Sequence, residues 1–186
     1  MSKSIVVSGP PAIGKTTVAK GLAKEFNLNY LSGGDILKEL ASEQGFSSSG
    51  DDWWDTDDGM KFLNQRKENS EFDKKVDEKL IQLFENGNVV ITSYTLPWLI
   101  DSGIKLWLSG SVENSAKRMQ NRDNMDNSSA LAVVTKRFNE NKLIYKNLYN
   151  FEFGDDLSVF DKIIETDGKN AEEVLEITKS YVRELL

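Results

Sequence analysis

A lysine and two threonines, Lys15, Thr16 and Thr17, close a run that begins Gly9-Pro10-Pro11-Ala12-Ile13-Gly14. The spacing Gly-x-x-x-x-Gly-Lys-Thr is that of a loop that wraps phosphate groups. Glycine lets the backbone curl until successive N–H groups converge on anionic oxygen, and a helix N-terminus beyond it adds its dipole. An ammonium at position 15 reaches the β- and γ-phosphates of a nucleoside triphosphate, and a hydroxyl at position 16 is placed for Mg²⁺. Out of context the same residues would make a glycine turn with a solvated lysine. Here the apolar run Ile5-Val6-Val7 precedes them and a helical stretch, Lys15 to Phe26, follows. That strand–loop–helix setting makes Gly9 to Thr17 a site for a nucleoside triphosphate with Mg²⁺.

A second set of residues suits transfer of a phosphoryl group out of that site. Arg118 and Arg122 are four apart and share a helix face, while Arg137 lies beyond a polar segment, with Lys136 beside it and Lys142 following. Guanidinium groups aimed at a transferring phosphoryl group stabilise the charge on its equatorial oxygens. A solvated charged face is the plainer alternative. Asp35, in Ser32-Gly33-Gly34-Asp35, could hold Mg²⁺ through water, orient an acceptor, or cap a helix starting at Ile36. Lys38, one turn later, could meet an anionic acceptor.

Trp53 and Trp54 stand inside the acidic run Asp51 to Asp58. They could stack on a planar base or line an apolar pocket. Alternatively one of them pins the segment to the domain while Thr56 and Asp57 cap the next helix. Arg66 is a cation close by in the chain, and Tyr94 follows an apolar strand that lacks a terminal Asp. That absence, and the lack of an Asn-Lys-x-Asp guanine-reading motif, count against an ATPase or GTPase.

The elements that must position these groups alternate strand and helix, which predicts a parallel sheet with helices on both faces. Five strands are expected: Ile5–Ser8, Asn29–Leu31, Asn88–Thr92, Ile104–Leu108 and Lys162–Glu165. Helices are expected at Lys15–Phe26, Gly34–Ser42, Thr56–Lys67, Glu71–Glu85, Val112–Arg122, Ser128–Tyr149 and Ala171–Leu186. In the first, Val18, Ala19, Leu22 and Ala23 should face inward; in the fourth, Phe72, Val76, Leu80, Leu83 and Phe84 recur at helical spacing. Polar inserts at about 45–70 and 122–137 follow the second and fourth strands, where a parallel sheet leaves its ligand crevice. The first insert is expected to hold the acceptor and the second to act as a lid over the reacting phosphate.

A chain of 186 residues predicts one domain, 1–186, with a proper core. Cysteine and histidine are both absent, which excludes disulfides and thiolate metal sites and leaves carboxylates as the only ordinary bases. A net charge of −7 argues against a nucleic-acid polymer as partner. No run suggests a membrane span, and Met1 to Ser4 leads straight into a strand, so a cytoplasmic protein is expected.

Taken together, the motifs resemble the nucleoside monophosphate kinases, and within them the archaeal-type cytidylate kinases. The likeness runs through Gly9–Thr17, Leu31-Ser32-Gly33-Gly34-Asp35-Ile36-Leu37-Lys38-Glu39-Leu40, Glu71–Asp77 and Gly87–Ile91, then Arg137–Lys142 and Tyr145–Asp161. It implies a P-loop kinase that moves a phosphoryl group from ATP, with Mg²⁺, to CMP or dCMP. Related kinases commonly carry Arg where Lys38 stands and another just after the third strand, where this chain has Ser93-Tyr94. An ammonium and a phenol do not replace bidentate guanidinium groups. Arg66 is the candidate for the missing charge. Two alternatives stay open: a P-loop kinase of a small non-nucleotide metabolite, and a non-catalytic ATP-binding regulator.

Overall fold

The computed structural model describes residues 4–43, 45–46, 56–68 and 71–186. Five strands, β1 (Ser4–Ser8), β2 (Asn29–Ser32), β3 (Val89–Thr92), β4 (Ile104–Ser109) and β5 (Lys162–Glu165), pair in the order β2-β3-β1-β4-β5. Every pairing is parallel; Val6 sits beside Ile91 on one side and Lys105 on the other. Parallel neighbours need crossover connections, and here helices supply them.

Alternate residues of each strand part to opposite faces, and that period of two divides the core. Ile5 and Val7 of β1 join Val90, Leu106, Leu108 and Ile164 beneath α1 (Lys15–Phe26) and α8 (Ala171–Leu185). Val6 points the other way, with Val89 and Ile91, to meet α2 (Gly33–Glu43), α3 (Asp57–Glu68), α4 (Glu71–Asn86) and a short α5 (Leu96–Leu99). Each fully buried Val, Leu or Ile contributes about 1.5–3 kcal/mol. The inward residues of α1 are Val18, Ala19, Leu22 and Ala23, as their spacing predicts.

The expected boundaries shift at three places. β2 runs on to Ser32 and α2 starts at Gly33, so Asp35 lies inside the first turn and does not cap the helix. Its N–H instead donates to Ser32 Oγ at 3.4 Å. The segment after β3 contains α5, an extra helical turn with Pro97 near its start, where a missing N–H costs nothing.

The third shift concerns the expected lid. α6 (Val112–Asp123) and α7 (Asn127–Tyr149) leave only 124–126 between them, so the interval 122–137 is mostly a helical hairpin. Asn124 ends α6 in the left-handed conformation (φ 52°), and Asp126 caps α7 by accepting from the Ser129 N–H.

Of the first insert, α3 is described. Thr56 caps it by accepting the Gly59 N–H, and Phe62 anchors it, fully buried between Phe46 and Phe72. Trp53 and Trp54 lie outside the described residues. Among the described residues, no helix is long and apolar enough to cross a membrane.

Candidate active site

The phosphate loop links the C-terminal end of β1 to the first turn of α1, and its shape follows from two glycines. Gly9 has φ +149° and passes so close to β4 that a Cβ there would stand 2.6 Å from the Leu108 carbonyl oxygen. Gly14 has φ +106°, and a Cβ would stand 2.9 Å from Arg118 Nη1. Between them Ala12 holds φ 58°, a strained value for a residue with a side chain. Ile13 is fully buried in the sheet core and ties the loop down. Pro10 and Pro11 have no N–H to give, so the anion donors come from Ala12 onward.

Lys15 is partly buried and its ammonium donates to the Gly9 and Pro10 carbonyls at 3.0 and 2.6 Å. Burial lowers its pKa from the usual lysine value; Tyr94 works against that shift and Arg137 adds to it. The lysine is therefore held in an electropositive, desolvated place, the setting in which a phosphate oxygen is a strong partner.

A cavity of about 560 Å³ opens beside the loop. Ala12, Gly14, Lys15, Thr16 and Thr17 line it from the loop, Asp35 and Lys38 from α2, and Tyr94 from the end of β3. Arg118 and Arg122 reach it from α6 and Arg137 from α7. The hairpin of α6 and α7 thus does what the spacing predicts: it carries three guanidinium groups to one wall. Gly9, Pro10, Pro11 and Ile13 do not line the cavity and serve the loop's geometry. Arg66 belongs to α3, but its side chain lies outside the described part of the structure, as do Trp53 and Trp54.

The cations are held by different means. Arg118 donates to Asn114 Oδ1 and to the Lys169 carbonyl, each at 3.4 Å, which steers it over Gly14. Asn114 in turn donates to Thr166 Oγ1 at 3.0 Å. Arg122 pairs with its neighbour Asp123, with Nη2 at 2.5 Å from Oδ2. Lys38, its side chain 12 % exposed, lies 3.6 Å from the Asp35 carboxylate, which is 61 % exposed. Lys142 is engaged by Asp155 at 2.5 Å.

Several lining residues were not singled out from the sequence. Lys20 reaches the cavity over the ring of Tyr30, at 5.4 Å from its centroid. Asp73 and Asp77 of α4 and Asn141 of α7 are buried polar groups on its wall. A signal existed for the two acids: positions 73, 76, 77 and 80 fall on one helical stripe with Val76 and Leu80. An acid in that stripe must either be paired or serve a ligand.

The donor set suits ATP and Mg²⁺. The loop leaves a cradle at Gly14 that a Cβ would fill, beneath Arg118. Among the described residues no group of three or more acidic side chains is placed to hold a metal ion.

Comparison with known proteins agrees with this geometry. A family model described as an AAA domain matches residues 8–104. A cytidylate kinase of Sulfurisphaera tokodaii is 33 % identical over 185 residues, which is 98 % of this chain and 96 % of that protein. The chain belongs to the cytidylate kinase family. A cytidylate kinase of Methanocaldococcus jannaschii is 32 % identical, covering 97 % of this chain and 98 % of its own. Among solved structures, a shikimate kinase from Bacteroides thetaiotaomicron superposes with a TM-score of 0.59 at 16 % identity, covering 100 % of this chain and 98 % of that one. At that identity the likeness concerns the fold, a five-stranded parallel P-loop kinase sheet.

Proposed function

We propose that this chain transfers the γ-phosphoryl group of ATP to CMP or dCMP, releasing ADP and the nucleoside diphosphate, in the cytoplasm. The observation that carries the reading is the single cavity in which Lys15, Arg118, Arg122 and Arg137 converge on the phosphate loop, in a chain of this family. The loop N–H groups and Lys15 bind the donor phosphates. Arg118 and Arg122 stabilise the charge that develops on the transferring group, and Arg137 joins them from α7. Thr16, and Asp35 through water, would hold Mg²⁺, which supplies charge neutralisation between donor phosphates. Lys38 and Tyr94, which line the same cavity, would hold the acceptor.

No strong base is needed. The second pKa of an acceptor phosphate is about 6, so at neutral pH it is already largely a dianionic nucleophile. Asp35 is consistent with this: an exposed carboxylate paired with Lys38 is a poor general base for an alcohol acceptor. A panel of nucleoside monophosphates with ATP and Mg²⁺ tests the proposal. CMP or dCMP should be turned over fastest, and no turnover of CMP, dCMP or UMP above background would overturn it.

A further inference from the structure

Arg118 and Arg122 share a face of α6, yet their guanidinium groups are held differently. Arg122 pairs with the Asp123 carboxylate. Among the described residues, both acceptors of Arg118 are uncharged: the Asn114 amide oxygen and the Lys169 carbonyl. Asp167 acts on Arg118 only through space, since each of its oxygens accepts the Ser111 N–H at 3.0 Å. Arg118 is thus oriented and keeps its charge for an anion.

Asn114 is fixed in turn. Its Nδ2 donates to Thr166 Oγ1 at 3.0 Å, which leaves Oδ1 to face Arg118 Nε. Thr166 is fully buried, and its N–H donates to the Ser109 carbonyl at 2.8 Å, just beyond the paired residues of β4 and β5. Gly110, next along, has no room for a side chain. A Cβ there would stand 2.6 Å from Thr166 Oγ1 and 2.8 Å from Cδ1 of Ile13, in the phosphate loop. The series Ser109, Thr166, Asn114, Arg118 therefore ties the guanidinium to the end of the sheet that carries the loop.

We propose that Asn114 is a positioning residue for Arg118: its neutral amide, anchored on Thr166, sets the guanidinium over the phosphate loop and leaves its charge to the transferring phosphoryl group. The inference rests on the phosphotransfer reading of the cavity. Misplacing such a group by about 1 Å can cost roughly a hundredfold in rate, so the support of a guanidinium matters as much as its presence.

The test is a double-mutant cycle on the full chain with ATP, Mg²⁺ and CMP. Asn114→Ala should lower kcat about tenfold and change the KM for CMP less than about threefold; that is the lower end for a hydrogen bond to a charged group, as suits a long bond. In the Arg118→Ala background the same substitution should cost less than about twofold. Equal losses in both backgrounds would make Asn114 only a brace of the first turn of α6 and overturn the inference, as would a native kcat in Asn114→Ala. No turnover of any nucleoside monophosphate by the native chain overturns the phosphotransfer reading as well.

Two further variants separate anchor from charge. Thr166→Val removes the anchor and should lower kcat about three- to tenfold, again only where Arg118 is present. This arm decides if Asn114→Ala does not fold. Asn114→Asp keeps an acceptor for Nε but pairs the charge, so kcat should fall at least as far as in Asn114→Ala. An Asn114→Asp enzyme as fast as the native one overturns the need for a neutral acceptor.

Discussion

The ammonium of Lys15 lies 4.5 Å from the centroid of the Tyr94 ring. The family likeness sets an arginine near this place, yet a further cation, added to Arg137, would raise the cost of a lysine whose charge burial already disfavours. An aromatic face instead attracts the ammonium through its quadrupole. Tyr94 therefore braces the Lys15 ammonium within the cavity without adding charge.

Tyr94→Phe keeps the ring and should hold kcat within about threefold, whereas Tyr94→Ala should cost about two- to thirtyfold, the range of a cation–π contact. Tyr94→Arg should be worse than Tyr94→Ala. Steady-state kinetics on the three variants check this; a Tyr94→Arg enzyme faster than the native one would show that the phenol is a deficit and not a support.

Lys15→Met should separate activity from stability. Turnover should fall by at least about 10²–10³-fold, the loss typical of one preorganised electrostatic contact. Because the folded-state pKa of Lys15 is lowered, the unfolded chain binds more protons between that value and 10.5. Native stability accordingly rises with pH through this window. Lys15→Met removes that slope, and its melting temperature at neutral pH should match or exceed the native one. Thermal denaturation across pH measures both.

Gly14→Ala meets two obstacles, a backbone at φ +106° and a Cβ 2.9 Å from Arg118 Nη1. The backbone strain alone should destabilise the chain by about 1–3 kcal/mol. Adding Arg118→Ala relieves the contact but not the dihedral, so the double variant should recover only part of the stability. Complete recovery would assign the whole effect to the guanidinium contact.

Arg118→Ala and Arg122→Ala should lower kcat by about 10²–10³-fold and raise the KM for ATP much less, the signature of contacts that strengthen in the transition state. Arg118→Lys should not rescue, since an ammonium cannot reproduce the fork that also reaches Asn114 and the Lys169 carbonyl. An effect confined to KM would place these arginines in ground-state binding.

Asp35→Asn and Lys38→Ala break the same 3.6 Å pair from opposite sides, yet they should differ in kind. Loss of the carboxylate should raise the Mg²⁺ concentration needed for half-maximal rate, and excess Mg²⁺ should restore part of kcat. Loss of the ammonium should raise the KM for the acceptor about tenfold and leave Mg²⁺ dependence unchanged, since a charged hydrogen bond contributes roughly 1.5–3 kcal/mol. Matching profiles would mean that the pair acts only as a surface brace.

The sequence by itself determined the local chemistry and the class of fold. Ile5-Val6-Val7 must be a strand covered on both faces, Gly9 and Gly14 must bend a loop, and Val18, Ala19, Leu22 and Ala23 must face inward. Each is fixed by near neighbours: backbone sterics at a glycine, or the periods of a strand and a helix. Arg118 and Arg122 were legible for the same reason, as was the cluster of loop residues from Ala12 to Thr17. Tertiary structure decided what no local period carries. The helical period puts Asp73 and Asp77 on the buried stripe of α4, but the groups that close around Asp77 come from afar: Thr95, 18 residues on, and Tyr149, 72 residues on. That Lys38 lines the cavity, its side chain 12 % exposed, was decided by how α2 packs on the sheet and α4. The phosphate-binding half of the site is built from one continuous segment, so its spacing is its geometry. The rest of the cavity is lined from α2, α4, β3, α6 and α7, and only packing of the core brings those five elements together.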